Sequence, residues 1–69
     1  MSMSEDRQRR FSKNAAVRAK YGLEYKDTVK LFGEQRAYSL ARADVAYTEG
    51  EISRIEEFRK ENPIPGFWG

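Results

Sequence analysis

Between Gly33 and Asn62 apolar side chains return every three or four residues, a rhythm that narrows the choice of fold more than any other feature of the chain. Ala37, Tyr38, Ala41 and Val45, followed by Ile52, Ile55 and Phe58, fall on one side of a helix with about 3.6 residues per turn, the side expected to face a core. The two sets are separated by Tyr47-Thr48-Glu49-Gly50-Glu51-Ile52. Here Thr48 is placed to accept from the Glu51 amide while Glu51 reaches back to the Thr48 amide, a capping box with Tyr47 and Ile52 as its hydrophobic staple. Glu49 and Glu51 sit at the positive end of the helix dipole, and Arg59 and Lys60 at the negative end. Asn62-Pro63 then stops the helix, because a residue before proline is pushed out of helical geometry. The signals predict one helix over 34–47 and another over 49–61. A single unbroken helix is the alternative, since Tyr38, Ala41, Val45, Thr48, Ile52 and Ile55 also keep a coiled-coil spacing and Gly50 would cost such a helix only about 1 kcal/mol.

The amino-terminal half has a different character. Residues 1–4 read as frayed, with Ser4 as the cap of a basic helix over 5–20. Arg7 to Lys20 holds six basic residues and no acidic one. Arg7, Arg10, Asn14 and Arg18 share one side, and Phe11, Ala15 and Ala19 beside them form a narrow apolar face. Such a face stabilises a helix weakly, so this one is expected to take its order from what it packs against or binds. Tyr21-Gly22 reads as a helix end with Gly22 as the left-handed cap. Tyr25, Val29 and Phe32 then favour a short helix over 26–32, since a lone strand would lack a partner. Two prolines bias residues 62–69 towards an extended, polyproline-like form carrying Ile64, Phe67 and Trp68. The expected fold is all-α: a single small domain of three to four short helices with an extended Pro/aromatic carboxy-terminal tail.

Function is constrained mainly by what 69 residues without Cys or His lack. Disulfides and the usual zinc sites are excluded. The side chains that most often serve general acid-base and nucleophilic catalysis are missing, so no enzyme and no cofactor is expected. Glu49, Glu51, Glu56 and Glu57 stand beside Arg54, Arg59 and Lys60 and read as surface pairs, such as Glu56 with Lys60. So small a chain buries little of its surface, and association with other subunits is the support left to it. A homo-oligomer or a subunit of a complex is expected. No apolar run approaches the roughly 20 residues needed to span a bilayer, and no secretory signal is seen, which fits a cytoplasmic setting.

Net charge is split: residues 1–30 hold eight basic and four acidic side chains, residues 31–69 five and seven. Arg7, Arg9, Arg10, Lys13, Arg18 and Lys20, with Lys26 and Lys30, are therefore candidate contacts to nucleic acid or to an acidic partner. Ile64, Phe67, Trp68 and Tyr38 are candidate contacts to a protein partner, unless the tail folds back onto its own core. Ala15 to Phe32 resembles a helix-turn-helix in outline, with Gly22 and Leu23 in the turn. That resemblance implies Tyr25, Lys26 and Lys30 facing the major groove and Arg7, Arg10 and Lys13 the phosphates. Lys13-Asn14, Lys20-Tyr21-Gly22-Leu23 and Tyr25 are also spaced like the opening of BrnT-type ribonuclease toxins, but Tyr21 stands where those carry His, and no activity follows. The readings are a regulator or adaptor that binds a larger protein, a nucleic-acid-binding regulator, and a structural subunit of a phage or mobile-element assembly.

Overall fold

The computed structural model describes residues 4–64. It is an all-α bundle of α1 (Glu5–Tyr21), α2 (Tyr25–Phe32), α3 (Glu34–Ala41) and α4 (Glu49–Glu61), with no strand among the described residues. The expected extended tail lies outside the described residues beyond Ile64, as does the frayed start before Ser4.

Each helix begins and ends where local chemistry satisfies its free backbone groups. The Ser4 hydroxyl accepts from the Arg7 amide at 3.2 Å, and α1 closes on Gly22, whose φ of 61° is left-handed. There the Leu23 amide donates to Arg18 at 2.8 Å and the Gly22 amide to Ala19 at 3.4 Å, a Schellman closure. The Asp27 carboxylate accepts from the Glu24 amide at 3.0 Å and starts α2. Gly33 alone then ends one helix and begins the next: its amide donates to Val29 at 2.8 Å and its carbonyl accepts from Ala37 at 3.0 Å. The φ of 92° that this hinge needs is open to glycine at no steric cost. At α4 the capping box is formed, with Thr48 Oγ1 accepting from the Glu51 amide at 3.1 Å and Glu51 Oε1 from the Thr48 amide at 2.9 Å.

The helix expected over 34–47 stops at Ala41. Asp44 donates to the Ser39 carbonyl at 3.0 Å and Ala43 to that of Leu40 at 3.1 Å, with Ala43 at φ 62°. This repeats the closure of α1 with alanine in the place of glycine, at a cost of about 1–2 kcal/mol for the left-handed residue. The core face is displaced with it. Ala37, Leu40 and Ala43 are buried, whereas Ala41 and Tyr38, expected to face inward, are exposed.

Tyr21, Leu23 and Ile55 form the centre of the core, with Val17, Leu31, Phe32, Tyr47 and Ile52 packed around them. Tyr47, the staple residue, meets Phe32 edge to face at 6.5 Å. Asn14 reaches residues 45–47, and Tyr21 reaches Glu56 and Arg59, so α4 runs beside α1 in the same direction.

Candidate partner-binding surface

The side of α1 that reads as its polar face is turned inward. Asn14 is 1% exposed; its Nδ2 donates to the carbonyls of Leu40 at 3.0 Å and Val45 at 2.9 Å, and its Oδ1 accepts from the Tyr47 amide at 3.3 Å. Arg10 Nε donates to the Ala43 carbonyl at 2.9 Å, and Arg7 pairs with Asp44. The α3–α4 connection exposes carbonyls that only long or amide side chains can reach, and this overrides the apolar stripe of Phe11, Ala15 and Ala19. Phe11 is accordingly 45% exposed and Ala19 exposed.

Other basic groups serve the same purpose. Arg59 is buried between three helix ends: Nε donates to the Tyr21 carbonyl at 2.6 Å, Nη2 to Gly22 at 2.8 Å and to Asp27 Oδ2 at 3.3 Å, and Nη1 to the Asn62 carbonyl at 3.1 Å. The free carbonyls and partial negative charge at the end of α1 make a cation favourable there. Arg54 caps α2 through the Leu31 carbonyl at 2.9 Å and lies over the Phe32 ring. Arg36 grips Glu51 with two bonds, 2.6 and 2.8 Å, and pushes the Glu51 carboxyl below its ordinary range; the Thr48 amide and hydroxyl act in the same sense against burial.

Of the eight basic residues expected to contact nucleic acid, Arg10 is thus engaged within the fold and Arg7 in a surface pair with Asp44. Lys26 lies 3.3 Å from Glu24, and Lys30 is exposed. Arg18 is half-buried and lines a recess with Tyr25 and Ala41. Arg9, Lys13 and Lys20 form a separate outward stripe on α1, with the Lys20 ammonium 5.3 Å from the Tyr21 ring centre. The expected Glu56–Lys60 pair is not formed; Glu56 instead accepts from the Tyr21 hydroxyl at 2.9 Å.

The aromatic side chains gather elsewhere. Tyr38 is 55% and Tyr25 48% exposed, and with Phe32 they line one open groove around Gly33. Arg42 stands 5.5 Å over the Tyr38 ring and donates to its hydroxyl at 3.2 Å; this bond, with the nearby Asp44, raises the Arg42 pKa. Tyr25 separates this groove from the Arg18 recess. Of the other expected partner contacts, Ile64 is half-buried after α4, and Phe67 and Trp68 lie outside the described residues. Phe11 was not expected as a contact, and Tyr25, the first residue of α2, only as one facing nucleic acid under the helix-turn-helix outline.

Comparison with protein-family models, with curated proteins and with solved structures gives no match. Thr28, within the stretch that resembles a helix-turn-helix, is buried and donates to the Glu24 carbonyl at 3.3 Å. Among the described residues no helix is long and apolar enough to cross a membrane.

Proposed function

We propose that this protein is a small non-enzymatic regulator or adaptor that works by docking onto a larger protein. The reading is carried by Tyr25 and Tyr38, two large rings about half exposed on one groove of a small bundle. Tyr and Arg dominate the energetics of protein interfaces, and Arg18 and Arg42 flank these rings. Ile64, Phe67 and Trp68 belong to the same reading as further anchors. The nucleic-acid reading draws on fewer of its eight candidates, because Arg10 donates to the Ala43 carbonyl and Arg7 pairs with Asp44.

The test is capture from a lysate of the native host, with and without nuclease, by wild type and by Tyr25→Ser/Tyr38→Ser. A partner retained by wild type after nuclease and lost with the variant, at unchanged helical circular dichroism, is the expected result. Trp68→Ala should weaken that binding by about 1 kcal/mol or more. Full capture by the double variant, or loss of all capture after nuclease, would refute the proposal.

A further inference from the structure

On the face formed by α1 and α4, away from the Tyr25–Tyr38 groove, four exposed charges stand at matched heights. Lys13 and Glu49 border one recess and Lys20 and Glu56 the next, so the two helices present a basic and an acidic edge with the same seven-residue step. Seven helical residues rise about 10 Å, so the two rows stay level. None of the four has an ion-pair partner within its own chain among the described residues. Between the rows lie exposed Ala16 and the partly covered Val17 and Ile52.

We infer that this face binds a second copy of the chain about a two-fold axis parallel to α1 and α4. That rotation sets α1 of one copy over α4 of the other with heights preserved, bringing Lys13 to Glu49 and Lys20 to Glu56, each twice, around an apolar centre. A two-fold across the helices would oppose lysine to lysine and is excluded by the same charges. Duplex phosphates suit this face less, since Glu49 and Glu56 repel them beside the lysines and Glu5 stands one turn before Arg9; Lys60 adds one cation near Glu56. Two helices each about 10 Å across and roughly 20 Å long bury about 400 Å² per copy, below the standard interface size. The dimer is therefore weak and sensitive to salt. It leaves the tyrosine groove open, and it stands whether or not that groove binds a protein.

Sedimentation equilibrium on the full chain tests it. Mass should climb from 8.1 kDa towards twice that value with concentration, and the midpoint should rise roughly tenfold between low salt and about 0.5 M. Lys13→Glu/Lys20→Glu and Glu49→Lys/Glu56→Lys should each be monomeric alone and should associate when mixed, because each supplies the charge the other lost. Lys13→Gln/Lys20→Gln, the gentler change, should weaken self-association about tenfold with circular dichroism unchanged. A wild type monomeric at every concentration, reversal variants that dimerise alone, or a folded mixture that does not associate would each overturn the proposal. Binding of duplex DNA by a chain that stays monomeric would do so as well, and would assign the lysines to phosphate.

Discussion

Asn14 and Tyr47 meet at one junction and carry opposite consequences. Asn14 satisfies the Leu40 carbonyl near the end of α3 and the Val45 carbonyl and Tyr47 amide of the α3–α4 connection from inside the core, so Asn14→Ala strands three polar groups at about 1–3 kcal/mol each. A chain of this size has a stability on the order of 3–5 kcal/mol, and the variant should be largely unfolded at 25 °C. The Tyr47 hydroxyl, by contrast, is buried with no hydrogen-bond partner among the described residues, and Tyr47→Phe should leave stability unchanged or raise it by up to about 1 kcal/mol. Urea titrations of both variants measure the pair. An asparagine amid a basic helix is a weak helix former, and that oddity was the one trace in the sequence of its buried role.

At the scale of the helices, what was legible is what is local. Ser4, Gly22, Thr48 with Glu51, and Asn62-Pro63 act within a few residues of themselves, so the starts of α1 and α4 and their ends could be read directly. The end of α3 could not, because its left-handed cap is Ala43 rather than glycine, held by Arg10 and by Asn14 bonds from more than twenty residues away. The inward turn of α1 was hidden for the same reason, and with it the exposure of Phe11. Tyr38 was singled out among the residues of the groove, but Tyr25 joins it only once Gly33 folds α2 against α3. The Arg36–Glu51 bridge between α3 and α4 likewise spans fifteen residues and sets an acid response. A carboxyl held below its ordinary 4.5 contributes fully above that value and loses its contribution as pH falls through the lower folded value. Thermal midpoints should therefore drop as pH falls below about 4.5, and Glu51→Gln should lower stability at neutral pH while flattening that drop.

For the whole molecule, the small apolar core is supplemented by guanidinium groups that bind main-chain carbonyls at helix ends, a support that no disulfide can supply in a chain without cysteine. Arg59 is the extreme case, and Arg59→Lys tests it: an ammonium keeps the charge but cannot fork to Tyr21, Gly22, Asp27 and Asn62 together. A loss of about 2 kcal/mol corresponds to a fall in melting temperature of roughly 10 °C for a domain of this length. Since one planar group clasps the close of the first rod, the opening of the second and the exit of the last, none of these can fray without loosening the others. Amides of α1 and α4 should then exchange with deuterium at a common rate, and the bundle should come apart in a single step rather than helix by helix.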